Sequence, residues 1–69
     1  NRMKTVDARG LSCPEPVMLT DEAVKSGKRP IKVLVSEPHQ KMNIEKYAKD
    51  HDISFTTEAT EDGFAVMLG

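Results

Sequence analysis

A second cysteine is missing from this chain of 69 residues, and that absence removes two chemistries. Cys13 can form no intramolecular disulfide, and dithiol exchange through a C-x-x-C pair is excluded. A fold without staples fits a reducing compartment. No apolar run approaches the roughly 20 residues of a membrane span, and no charged-then-apolar leader is present. The expectation is a cytoplasmic protein with no membrane partner. Glycine-rich phosphate loops, repeats and low-complexity stretches are absent as well. His39 and His51 have no helical spacing to each other or to Cys13, so no metal site is expected, and no cofactor pocket is evident. Each reads as a surface histidine, and nothing in the spacing brings either to the thiol for a Cys–His dyad. Tyr47, Phe55 and Phe64 are the only aromatics and fall on core-facing stripes, which leaves no stacking platform for single strands. A net charge of −1 argues against general nucleic-acid binding.

That charge is unevenly spread. Residues 1–35 carry seven basic and four acidic side chains, net +3, against three and seven in residues 36–69, net −4. Cys13 lies in the basic half, which helps hold an anion and attract an acidic partner. Asn1 and Arg2 precede Met3 and are set aside from fold reasoning.

The apolar pattern gives six elements. Lys4–Ala8 reads as a short strand, closed by a turn at Arg9-Gly10. Pro14–Ser26 has helical period, with Pro16, Leu19, Thr20, Ala23 and Val24 on one face and Asp21, Glu22 and Lys25 opposite. Met18 falls on the polar side, one turn beyond Pro14. Ser26-Gly27 and Pro30 end this helix. Ile31–Val35 is a nearly continuous β-branched run, suited to a central strand. A second helix lies within residues 39–51, with Ile44, Tyr47 and Ala48 as its stripe; it starts either at Asn43 or at Pro38 with a bend near Asn43. Ile53–Thr60 alternates as a half-exposed strand, Glu61-Asp62-Gly63 is a hairpin turn, and Phe64–Leu68 returns. The order β-α-β-α-β-β predicts an α+β two-layer sandwich, a four-stranded mixed sheet with two helices on one face. The uncovered face should show Lys32, Ser54, Thr56 and Glu58.

Cys13 stands just ahead of the first helix, where partial positive charge and free N–H groups favour a thiolate. Pro14 suits the first helical position, and a residue before proline takes the extended geometry of a cap. Cys13 is therefore read as the N-cap. The third helical residue, Pro16, has no N–H, so only the Glu15 N–H remains for the sulfur. The expectation is a moderately acidified, partly exposed nucleophile rather than an inert core thiol. With no base, metal or cofactor in sight, such a group suits chemistry in which the thiolate is both attacker and carrier.

The run Val6-Asp7-Ala8-Arg9-Gly10-Leu11-Ser12-Cys13-Pro14-Glu15-Pro16-Val17, with its C-P-x-P element, resembles the TusA-like sulfur-carrier family, also named for SirA and YedF. The resemblance covers the whole chain in element order. Glu37-Pro38 and Asn43-Ile44 fall where members often carry an acidic-Pro pair and an Asp-Ile. The tail from Asn43–Ala48 through Asp62–Phe64 is more similar to the YedF-like branch, in which the domain often precedes a second one, than to the tRNA-thiolation branch. Residues 1–69 are thus expected as a single TusA-like domain, a possible part of a two-domain protein.

The resemblance implies a sulfurtransferase-type carrier. Cys13 would accept sulfur from a persulfide donor such as a cysteine desulfurase and relay it to an acceptor protein. Arg9 would support the anion, Asp7 and Gly10 would shape the loop, and Glu15 and Pro16 would form the helix start. Pro14 and Met18 would offer partners a small apolar patch. The alternative is a non-catalytic protein- or RNA-binding regulatory module in which Cys13 is structural.

Overall fold

A computed structural model describes residues 3–69, so the two residues set aside above lie outside the described part. The chain runs β1 (Lys4–Asp7), α1 (Glu15–Lys25), β2 (Ile31–Val35), α2 (Pro38–Asp50), β3 (Phe55–Thr60) and β4 (Gly63–Leu68). The strands form one sheet in the order β1-β2-β4-β3. β1 lies parallel to β2, while β4 runs antiparallel to both β2 and β3. This is the mixed-sheet, two-helix α+β fold expected, with the β-branched strand β2 inside the sheet.

Paired residues share a face. Val6, Val33 and Val66 align across three strands, as do Ile31, Leu68 and Phe55. Together with Ala23 of α1 and Ile44, Tyr47 and Ala48 of α2 they build one core. Lys32, Met67 and Thr56 align on the opposite face, beside Leu34, Ala65 and Glu58. That face carries the expected Lys32, Thr56 and Glu58, interleaved with Leu34 and Met67, which stay half-buried. Ser54 is exposed but precedes β3.

Several boundaries differ from the sequence reading, each for a local reason. α2 is a single helix from Pro38 with Glu37 as N-cap, because proline at its first position needs no N–H partner. Its buried side also includes Gln40, one turn before Ile44. Ile53 belongs to no strand. The Ile53 N–H donates to the Ala48 carbonyl at 2.8 Å and the Asp52 N–H to the Lys49 carbonyl at 3.2 Å. This is a Schellman ending, with Asp52 left-handed at φ 57° and buried Ile53 packed into the core beside Ala48. Gly63 is the first residue of β4 rather than part of the turn, since Thr60 pairs with it and only Glu61-Asp62 bridge the strands.

Asp52 holds a conformation that costs an L-residue about 1–2 kcal/mol, and its side chain is exposed. Asp52→Gly is expected to raise stability by about 0.5–1 kcal/mol, after the extra entropy glycine loses on folding. A higher urea midpoint at unchanged slope checks this, and an unchanged or lower midpoint would count against it.

Candidate functional site

The segment joining β1 to α1 is pinned before it reaches the cysteine. The Ala8 N–H donates to the Leu34 carbonyl at 2.8 Å, extending the strand pairing by one residue. The Leu11 N–H returns to the Ala8 carbonyl at 3.3 Å, closing a turn in which Gly10 takes φ 78°. A side chain at Gly10 would be strained by that φ, not by crowding. Two bonds then fix the turn to the β2–α2 connection. Gly10 N–H donates to Ser36 Oγ at 2.9 Å, and buried Gln40 donates through Nε2 to the Leu11 carbonyl.

Arg9 closes the other side. Its Nε and one terminal nitrogen grip both carboxylate oxygens of Asp7 at 2.8 and 2.7 Å. The other reaches Asp62, in the β3–β4 turn, at 3.3 Å. The Asp7 carboxylate also accepts from the Arg9 backbone N–H at 3.2 Å. The guanidinium is thus bonded to two carboxylates. The hydrogen bonds from Arg9 hold the Asp7 carboxyl down at about 2, against an ordinary 3.8. A carboxyl lowered in the fold favours the native state above pH 3.8 and loses that contribution as pH falls toward 2.

Beyond Leu11 the chain turns outward, and Ser12, Cys13 and Pro14 are exposed. Cys13 is a free thiol. It is not the helix cap. The Glu15 N–H, expected for the sulfur, donates to the Ser12 carbonyl at 2.9 Å and closes a turn across Cys13-Pro14. The Pro14 carbonyl accepts the first helical bond, from Met18 N–H at 3.0 Å, which makes Pro14 the N-cap and Glu15 the first helical residue. Pro16 at the second position is buried and anchors the helix start, while Glu15 is an exposed acid in the first turn. Met18 is 57 % exposed one turn along, as expected.

The thiol opens onto a shallow cleft of about 340 Å³ between the helices. Pro14 and Val17 line one side; Asn43, Lys46, Tyr47, Asp50 and His51 line the other. The four α2 residues and the C-cap His51 form a stripe at helical spacing, a signal present in the sequence but without meaning until α1 is placed against it. Tyr47 bridges the helices by donating its hydroxyl proton to Asp21 at 2.7 Å. Burial, with Asp21 beside it, pushes the Tyr47 hydroxyl up to about 12. The bond from Tyr47, with Lys25 second, lowers the Asp21 carboxyl. Asp21, read as solvent-facing, is therefore half a clamp.

His51 is exposed and lines this cleft from the C-cap of α2. Its ring stacks on Tyr47 with centroids 4.0 Å apart, and its Nδ1 lies 2.9 Å from the Tyr47 carbonyl oxygen. His39 is exposed and does not line the cleft. Among the described residues no group of three or more His, Cys, Asp or Glu is placed to hold a metal ion. No described helix is long and apolar enough to cross a membrane.

A family model described as sulfurtransferase TusA matches residues 4–68. The crystal structure of the SirA-like protein from Desulfitobacterium hafniense is similar, with a TM-score of 0.84 and 22 % sequence identity. The match covers 99 % of this chain and 97 % of that one, and at such identity it supports the fold. No curated protein matches the sequence.

Proposed function

The chain belongs to the TusA sulfurtransferase family, and from that premise we propose that Cys13 carries sulfur as a persulfide between two partner proteins. Family membership supports a role in carrying sulfur in general. The donor, the acceptor and the carrying atom are our own reading. One observation carries it: the chain's single thiol is exposed at a cleft mouth, on a segment fixed at Gly10 and Leu11.

The chemistry needs little else. The Cys13 thiolate attacks the outer sulfur of a donor's cysteine persulfide. A new S–S bond forms at Cys13 as the donor's own S–S bond breaks, and the donor leaves as a thiolate. The zero-valent sulfur keeps its oxidation level throughout, so no external oxidant or reductant is required. An acceptor thiolate repeats the attack on the loaded carrier and frees Cys13.

Donor and acceptor must each reach the same sulfur in turn, which an exposed loop permits and a buried thiol would not. Pro14 and Met18 give both partners an apolar surface beside it. Asp7, Arg9, Gly10, Glu15 and Pro16 serve by holding loop and helix start. A cysteine desulfurase is the donor class we expect, in a cytoplasmic setting that keeps the thiol reduced. Asn43–Ala48 and Asp62–Phe64 favour the YedF-like branch.

Incubation with a cysteine desulfurase and cysteine, followed by intact-mass measurement, tests this reading. The expected result is a gain of one sulfur, removed by reductant and absent in Cys13→Ser. A wild-type protein that gains no sulfur from enzymatic or small-molecule persulfides overturns it.

A further inference from the structure

We infer that the free edge of β1 takes an extended, acid-bearing segment of a partner protein as an additional strand. β1 ends the sheet and has β2 on one side only. In a parallel ladder, alternate residues of a strand bond to its neighbour. The Lys4 N–H donates to the Pro30 carbonyl at 3.0 Å and the Ala8 N–H to the Leu34 carbonyl at 2.8 Å. Lys4, Val6 and Ala8 therefore turn their backbone groups toward β2. The N–H and C=O groups of Thr5 and Asp7 point outward, with no backbone partner among the described residues. Such a row of free groups is a template for another chain.

A second cleft, of about 330 Å³, opens between this edge and α1. Val6, Leu19 and Ala23 give it apolar walls, and Glu22 stands on the α1 side. Lys4 and Lys28 line it where the α1–β2 connection meets the start of β1. Neither lysine is ion-paired among the described residues. Lys4 and Val6 lie two positions apart and so share the helix side of β1. A strand added here would set an acid beside Lys4 and an apolar residue beside Val6, again two positions apart. β3, the sheet's other edge, carries Glu58 and no lysine or arginine, so it offers that acid no partner.

Main-chain bonds would supply affinity in this mode, and the flanking side chains would select the sequence. Cys13 does not line this cleft, so the bound segment leaves the thiol free. The inference stands apart from the persulfide-carrier reading, because binding of the segment involves no sulfur.

The probe is a capped heptapeptide of threonine with glutamate, valine and glutamate at its alternate positions. Either strand direction then sets an acid beside Lys4 and valine beside Val6. Titrated into isotope-labelled protein, it is expected to shift the amide signals of β1 and of the α1 residues facing it, saturably. N-methylation of its threonines, whose amides would face β1, is expected to abolish binding. Lysine in place of its glutamates is expected to weaken binding about tenfold, and Lys4→Glu combined with Lys28→Glu is expected to reverse that preference. Thr5→Pro removes an N–H that faces away from β2, which an edge strand tolerates, and is expected to weaken binding too. Circular dichroism verifies that the variants are folded; should Thr5→Pro unfold, the methylated peptide puts the same question to wild type. Shifts that do not saturate, or that centre on β3, overturn the inference. Equal binding of the methylated peptide or of the lysine peptide does so as well. If the β1 amides shift when the protein alone is concentrated, the edge serves a second copy of this chain and the inference falls.

Discussion

Gly63→Ala is expected to leave most of the protein unfolded. A Cβ built on Gly63 would run into the carbonyl oxygen of Val35 and stand 2.9 Å from the Ser36 Cα and 3.0 Å from the Val35 carbonyl carbon. All three are backbone atoms, so no side chain can swing aside. The strands themselves would have to part. They are the wrong strands to disturb, because β4 pairs with both β2 and β3 and Val35↔Phe64 is the next pair in the ladder. Forcing backbone apart in a packed sheet costs several kcal/mol, roughly 3 or more. At about 0.05–0.15 kcal/mol per residue, a domain of this size has only about 3–10 kcal/mol in total. Far-ultraviolet circular dichroism and a urea titration give the answer. A folded variant with the wild-type midpoint would mean that the close approach is not required.

The second large effect is expected at Gln40. This side chain is 4 % exposed and its Nε2 holds the Leu11 carbonyl, 29 residues away in sequence. Its other amide atom, Oε1, is buried without a partner among the described residues. Gln40→Ala therefore removes one satisfied bond, strands the Leu11 carbonyl and opens a cavity under the loop. A loss of about 2–4 kcal/mol is expected, combining an unpaired buried acceptor with lost packing. Gln40→Met fills the volume while still stranding the carbonyl, so it should cost less than alanine. Thermal melts of both variants, with amide exchange at residues 10–12, separate the two contributions. If alanine leaves both the melting temperature and exchange of the loop unchanged, Gln40 does not anchor it.

The sequence pattern carried the fold well where periodicity alone decides. β2 is legible because β-branched Ile31, Val33 and Val35 alternate along it, and α1 because its apolar face repeats at helical spacing. The pattern fails where one residue's backbone overrides it. Ile53 continues the alternation of β3, yet left-handed Asp52 assigns it to the helix ending instead. Cys13 has every local property of a cap, but the Ser12–Glu15 turn takes the N–H that a cap would need.

The site was half legible. Cys13 and its prolines announce themselves, and Gly10 and Asp7 shape the loop as their types imply. Arg9 meets Asp62 across 53 residues, a pairing set only by how the β3–β4 hairpin docks along β2. The α2 side of the cleft is equally hidden, because a stripe at helical spacing does not say which helix it will face.

The two bonds that shape the cysteine loop are also statements about time. Gly10 waits for Ser36, 26 residues on, and Leu11 waits for Gln40. During synthesis the thiol-bearing segment is made well before either anchor exists. The β3–β4 hairpin, closed by two residues, is the fastest pairing available, whereas the parallel β1–β2 contact must first bridge an entire helix. The nascent chain thus carries an unshaped thiol until its middle has folded back. A chain whose sheet fails to assemble keeps the free thiol and loses the setting around it.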